Sequence, residues 1–250
     1  MTDSEAEVAA AWLLERFPGG LEERQLDGAT ELAVFTGDVG EVAVRNAFPN
    51  VRSEPVAPGW EDRWKEFHRP VWAGGLWIGP PWKSPPPDEP AVVVDPGRAF
   101  GTGAHPTTRA CIELLARLER GSLLDAGCGS GVVAIAALRL GFAPVVAVDL
   151  DEVAVEVAAL TARANRVEID VRRADVLHDE LPRADVLVAN IELGVVEQLL
   201  VRAPSTVAVT SGYLATEAPR APGWLGVDRL ELEGWAADAF VKRHQEPRTQ

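Results

Sequence analysis

The ten residues from Ser122 to Gly131, SLLDAGCGSG, constrain this chain more than any other stretch. Leu123 and Leu124 end an apolar run, Asp125 closes it, and Gly127, Gly129 and Gly131 follow at intervals of two before the helical pattern VVAIAALRL. A strand feeding a glycine turn and then a helix opens a doubly wound α/β domain. Glycine can turn this tightly with positive φ, and it lets a ligand lie against bare backbone. A second apolar run, PVVAVD, ends at Asp149. That is where such folds set a carboxylate against a ribose.

The glycine spacing discriminates between nucleosides. Dinucleotide sites use G-x-G-x-x-G, so that a helix N-terminus meets a pyrophosphate. Here Asp125 stands two residues ahead of the first glycine, in the pattern acid-x-G-x-G-x-G. A carboxylate repels a pyrophosphate but accepts a hydrogen bond from an ammonium group. The spacing is that of enzymes using S-adenosylmethionine, which carries an α-amino group and a ribose and no phosphate.

Beyond the turn the pattern alternates as a parallel sheet with helices on both faces requires. A helix over 131–140 leads to the strand ending at Asp149. A helix over 151–165 leads to VEIDVR, followed by ADVLVAN, a helix near 192–202, STVAVT, and closing strands near 226–233 and 235–242. Asp125, Asp149 and Asn190 all fall at strand ends, where ligands bind in such sheets. Asp175 is placed either to meet an adenine amino group or to serve as an ordinary loop aspartate.

Asn190 indicates the acceptor. Base-modifying and glutamine-modifying enzymes commonly carry Asn-Pro-Pro-aromatic at this place, the aromatic stacking on a flat target. This chain has Asn190-Ile191-Glu192-Leu193. An aliphatic amine is therefore expected, oriented by the Asn190 carbonyl. A lysine must first lose its proton, at about 4 to 5 kcal/mol near neutral pH, against about 1 for a terminal α-amine. Proximity to the methyl donor supplies the rate, with no metal.

Thirty-eight acids against twenty-four bases give a formal charge of −14, which disfavours a direct grip on nucleic-acid phosphates and suits a basic protein partner. The N-terminal residues lack a leader pattern, and no apolar run reaches the roughly 18 residues of a membrane span. A cytoplasmic chain, without membrane contact and monomeric, is expected. Cys111 and Cys128 lie in no metal-binding pattern.

The N-terminal segment reads as a small α+β module. It has a helix over 4–17, strands LEERQL and ELAVFT about an Asp27-Gly28 turn, a short helix within 37–48, and an edge strand at VRSEPV. WEDRWKEFHRP reads as a linking helix. Five of the eight tryptophans fall between positions 60 and 82, a belt that either lines a target groove or packs the linker onto the larger domain. Boundaries of 1–57, 58–70 and 71–250 follow.

DPGRAFGTGAHPTTR is the second informative stretch. It is a glycine-rich loop feeding a helix over 107–120, with Thr107 or Thr108 as the cap and Glu113 and Arg117 spaced to pair. His105 is either a loop histidine with a local hydrogen bond or part of the site, and Phe100 can wall a ligand.

These motifs, with DAGCGSGVVAIAALRLG, VAVDLD, ADVLVANIE and WEDRWKEFHRPVWAGGLWIGPPW, resemble in order and spacing the PrmA family. Those methyltransferases modify protein eleven of the large ribosomal subunit. The resemblance implies an α/β class I S-adenosylmethionine-dependent methyltransferase fold, Rossmann-like and mostly parallel with a closing antiparallel strand, behind a ferredoxin-like α+β domain. It implies methylation of lysine ε-amines and the N-terminal α-amine of that ribosomal protein, free or ribosome-bound; the alternatives are another basic protein or a small-molecule amine. By position, Thr108, Gly127, Asp149 and Asn190 would bind the cofactor, under a loop of Phe100, Gly101, Thr102 and Gly103. Thr107, Asp125, Gly129, Gly131 and Leu150 complete the expected set, and Asn190 would also face the amine. Family members usually begin with a strand ahead of the first helix, so three strands are expected in the first module where four are usual.

Overall fold

The computed structural model describes residues 9–10, 12–13, 22–26, 29–34, 38–48, 50–53, 68–96 and 101–243. The chain divides into two compact units, 1–61 and 62–250.

In the first unit β1 (Glu22–Leu26) and β2 (Ala29–Ala33) pair antiparallel, with Leu26 opposite Ala29, which is the expected hairpin. Helix α1 (Asp38–Ala47) follows. Trp12 packs edge-on against Phe48, ring centres 5.2 Å apart. The expected strand at VRSEPV is absent over its described part, 51–53. Arg45 at the end of α1 takes that backbone instead, donating to the Val51 carbonyl at 3.2 Å and to Ser53 Oγ at 2.6 Å, while its Nε bonds Glu41 at 2.8 Å. Of the expected linking helix, residues 58–67, with Trp60 and Trp64, lie outside the described residues, and 68–70 are not helical.

The second unit opens with a three-stranded sheet of β3 (Val71–Ala73), β4 (Leu76–Gly79) and β5 (Ala91–Val93), with β3 antiparallel and β5 parallel to β4. Within the tryptophan belt, Trp77 is buried, and Trp72, its partner across the antiparallel pair, is half exposed. Asn165 ties this small sheet to the rest of the unit. It is buried, its Oδ1 accepts from the Val93 N–H at 2.8 Å, and its Nδ2 donates to the carbonyls of Val93 and Thr161 at 2.7 and 2.8 Å.

The main sheet contains β6 (Leu123–Ala126), β7 (Val145–Asp149), β8 (Asp170–Arg173), β9 (Val186–Asn190), β10 (Val207–Leu214), β11 (Trp224–Leu232) and β12 (Trp235–Lys242). Its order is β11-β12-β10-β9-β6-β7-β8. Strands β6 to β10 run parallel, and β12 is antiparallel to both β10 and β11. The chain leaves β6 for β7 and β8 on one side, then returns to β9 and β10 on the other. The crevice between β6 and β9 is thus the switch point. β8 begins three residues later than VEIDVR predicts. Val167 and Ile169 pack on the core ahead of it, and the strand proper is exposed at the sheet edge.

Among the described residues of this unit four helices follow in chain order: α2 (Pro106–Arg117), α3 (Val132–Arg139), α4 (Glu152–Ala164) and α5 (Leu193–Arg202). Two apolar layers sandwich the sheet, and strand residues alternate between them with period two. Leu123, Val145, Ala147, Val186, Val188 and Val209 face the layer of α2, α3 and α4. Leu124, Val148, Leu187, Ala189 and Ala208 face that of α5. Strand β10 changes allegiance midway at a bulge between Ser211 and Tyr213. Gly212 is the extra residue, at φ +103°, and a Cβ there would sit 2.1 Å from the Ile191 carbonyl oxygen. Beyond it the Tyr213 hydroxyl bonds the Thr210 carbonyl at 3.0 Å and Asp238 at 2.9 Å, and Arg229 holds Asp238 at 2.8 Å.

Replacing Asn165 by alanine leaves the Val93 N–H and carbonyl without their partner in a half-buried setting. Chemical denaturation should show a loss of about 2 to 4 kcal/mol; a loss below about 1 kcal/mol would mean that Asn165 does not tie the two sheets together.

Candidate active site

The glycine turn at the end of β6 hangs from its neighbour. The N–H groups of Gly127 and Cys128 both donate to the Val148 carbonyl, at 2.8 and 3.0 Å, and Gly129 N–H donates to Asp149 Oδ2 at 2.9 Å. Gly127, Gly129 and Gly131 all have positive φ. A Cβ at Gly127 would meet Ile191 Cγ2 at 2.4 Å, so the turn can lie beside the end of β9 only as glycine. The other Asp149 oxygen accepts from Asp151 N–H at 3.0 Å, and Asp151 caps α4 through Val153 N–H. The Asp149 carboxylate is therefore fixed from two sides. Leu150, next to it, is 58% exposed.

Strand parity places the polar side chains on one face. Asp125, Asp149, Asn190 and Ser211 continue the positions that face the α2, α3 and α4 layer. Asp125 is buried, and its Oδ2 accepts from the Ala134 N–H of α3 at 3.0 Å. Burial pushes its carboxyl up to about 7, the Ala134 bond opposes that, and the Asp149 charge adds to it. Asn190 Nδ2 donates to Thr108 Oγ1 of α2 at 3.3 Å, leaving Oδ1 for another donor. Gly101, Thr108, Asp125, Gly127, Cys128, Gly129, Val132, Val133 and Asn190 line one narrow cleft at the switch point.

Asp149, Thr102, Gly103, Thr107, Gly131 and Leu150 are not among the described residues that line it. Gly101 is held where its carbonyl accepts from Ser130 Oγ, Thr102 Oγ1 accepts from Ala104 N–H at 3.4 Å, and Gly103 is buried. Phe100 lies outside the described residues. The cap of α2 is neither Thr107 nor Thr108: His105 is the N-cap, its ring accepting from Thr107 N–H at 3.4 Å and meeting Thr107 Oγ1 at 2.7 Å. Pro106 fixes the first turn and has no N–H to cap, which moves the helix start upstream. Burial, with Arg109 nearby, holds the His105 ring below the usual histidine range. Glu113 and Arg117 do not pair. Glu113 takes the Gly74 N–H at 2.8 Å and Arg117 reaches Asp228 at 2.9 Å. Asp175 is held in its own loop by Leu177 N–H and His178, both at 2.8 Å. Sequence reasoning missed Ser130 and Gly212. The first lay unread inside the glycine motif, and the second gives no signal until β9 and β10 are paired.

The cleft suits S-adenosylmethionine chemically. Among the described residues its lining presents a carboxylate and an amide and no cationic side chain, with Asp149 beside the turn, which fits a ligand of ammonium, sulfonium and hydroxyl groups. A seven-stranded sheet with one reversed strand and an acid-glycine turn at its switch point defines a class I S-adenosylmethionine-dependent methyltransferase. Residues 49–220 match the family described as ribosomal protein L11 methyltransferase (PrmA). The chain belongs to that family.

Among relatives with this description, the protein of Symbiobacterium thermophilum is 37% identical over 257 aligned residues, covering 96% of this chain and 82% of its own length. That of Pseudomonas paraeruginosa is 40% identical, covering 75% of this chain and 70% of its own length. That of Caldicellulosiruptor saccharolyticus is 35% identical over 72% of this chain, and the match spans 57% of the relative. The crystal structure of the ribosomal protein L11 methylase from Lactobacillus delbrueckii subsp. bulgaricus superposes with a TM-score of 0.61 at 26% identity, covering 68% of this chain and 96% of that one. Among the described residues no helix is long and apolar enough to cross a membrane, and no group of acids, histidines and cysteines could hold a metal ion.

The raised Asp125 pKa sets a sign. The folded chain binds more protons than the unfolded one between the ordinary carboxyl range and about 7, so this group's contribution to stability falls as pH rises through that window. The melting temperature of the ligand-free protein should decline from pH 5 to 7.5, and Asp125→Asn should flatten that decline. Identical slopes in the two proteins would contradict the assignment.

Proposed function

We propose that this chain is a protein N-methyltransferase that carries methyl groups from S-adenosylmethionine to lysine ε-amines and the N-terminal α-amine of large-subunit ribosomal protein L11. The names of its relatives supply the substrate. The observation that carries the chemistry is the orientation of Asn190: with Nδ2 committed to Thr108, Oδ1 is left to accept an N–H from an incoming amine.

The bound cofactor supplies an electrophilic methyl group on a sulfonium sulfur. Asn190 Oδ1 holds the neutral amine by one N–H, so that its lone pair points into the cleft. Proximity and alignment lower the barrier without a covalent intermediate on the protein. The free oxygen of Asp125 would accept from the cofactor's ammonium group, its partner oxygen staying on Ala134 N–H. Asp149, fixed by Gly129 and Asp151, keeps lone pairs for the ribose hydroxyls. Exposed Leu150 offers an apolar surface to the base, and Gly101, Thr102, Gly103 and Thr107 border the cofactor. The 1–61 unit would recognise the substrate, and a net charge of −14 favours a basic partner over nucleic acid.

Incubation with S-adenosylmethionine and ribosomal proteins from cells lacking this activity should raise the intact mass of L11 alone, in multiples of one methyl. Label on other proteins would move the substrate, and no label with cofactor bound would remove the catalytic reading. Asp149→Ala should weaken cofactor binding by about 1.5 to 3 kcal/mol, measured by titration calorimetry; unchanged affinity would sink the ribose role. Asn190→Ala should reduce turnover far more than cofactor affinity, whereas equal losses would leave Asn190 a binding residue only.

A further inference from the structure

The hairpin between β11 and β12 ends in a two-residue turn, Glu233 and Gly234, closed by the pairing of Leu232 with Trp235. Both turn residues lie in the left-handed region, at φ +52° and +82°. Turns of this shape favour asparagine, aspartate or glycine at both positions, and glutamate is a poor choice for the first. Strain of this kind persists where the surroundings over-determine it.

The Glu233 side chain explains the residue. Its Oε1 meets Arg109 of α2 at 2.6 Å, and Arg109 Nε donates to the Ala104 carbonyl at 3.1 Å. One residue on, the His105 ring packs edge-on against Trp235, 5.0 Å between centres. Residues 101–105 are thus gripped at both ends. Ser130, from the glycine turn, holds the Gly101 carbonyl, and the β11–β12 hairpin holds Ala104 and His105. Asparagine would suit the turn better but is one methylene too short to reach Arg109.

We propose that Glu233 is a positioning residue for the cofactor site, acting through Arg109 to fix residues 101–105 over the cleft. The proposal rests on the reading of that cleft as a cofactor site, but its first test does not. In the full chain without ligand, Glu233→Asn should melt at or above the wild-type temperature, because the turn is relieved. Amide hydrogen exchange across residues 101–109 should nonetheless accelerate about threefold, the scale of one partly exposed ion pair. Arg109→Lys should reproduce the faster exchange, since an ammonium group cannot hold both acceptors in the same geometry. Glu233→Gln, which keeps the reach, should stay nearer wild type. Titration with S-adenosylhomocysteine should then show weaker binding in Glu233→Asn by a similar factor. Unchanged exchange in both Glu233→Asn and Arg109→Lys overturns the proposal, and so does a fall in melting temperature without faster exchange. Failure of the wild-type chain to bind the nucleoside overturns the reading of the cleft instead, and the exchange result still decides the role of Glu233.

Discussion

The main chain at the end of β7 carries the turn that leaves β6. One carbonyl, that of Val148, accepts two N–H groups of the turn, and one carboxylate, that of Asp149, accepts a third. Three consecutive donors that would otherwise be unsatisfied are thereby held by the adjacent strand. Because Asp149 also accepts from Asp151, the N-cap of α4, one carboxylate joins the turn, the strand and the helix. In the proposed role of Asp149, a carboxylate held this way would meet the ribose already oriented, which reduces what binding must organise.

The second constraint is parity. A strand alternates its side chains strictly, so the identity of the face at a strand's end follows from the apolar residues before it. Leu123, Val145, Val186 and Val209 on one layer determine that Asp125, Asp149, Asn190 and Ser211 emerge on the same side. The helices on that side supply the complementary partners: Ala134 N–H for Asp125 and Thr108 for Asn190. Convergence of the site is thus a property of the core pattern, and a register slip of one residue in β6 or β9 would remove Asp125 or Asn190 from the cleft.

Much of this was legible before folding. The acid-glycine turn, the strand ending at Asp149 and the apolar run before Asn190 are local signals, each contained within one strand-turn unit. What could not be read depended on distant partners. Glu113 and Arg117 have the right spacing for a helix pair, yet the Gly74 N–H of the β3–β4 turn and Asp228 of β11 compete for them. The cap of α2 was misassigned by two or three residues because His105 is an uncommon cap and Thr107 and Thr108 are both buried. VRSEPV resembles a strand in composition, but its first residues are taken by Arg45. The hairpin grip on residues 101–105 joins segments more than a hundred positions apart, and no periodicity announces it.

The bulge in β10 lets a single strand answer to both halves of the domain. Ahead of Gly212 its odd-numbered positions share the face of the cleft; after it, Tyr213 turns to the opposite side and knots with Thr210, Asp238 and Arg229. The hinge of this exchange is the Ile191 peptide, which crowds Gly212 and directly follows Asn190 in the chain. The residue that would present the acceptor amine is therefore one peptide away from the crossover that locks the closing hairpin. The seating of the hairpin and, in the proposed role of Asn190, the aim of its amide fall on the same few atoms, so a change that unseats Gly212 would also shift that amide.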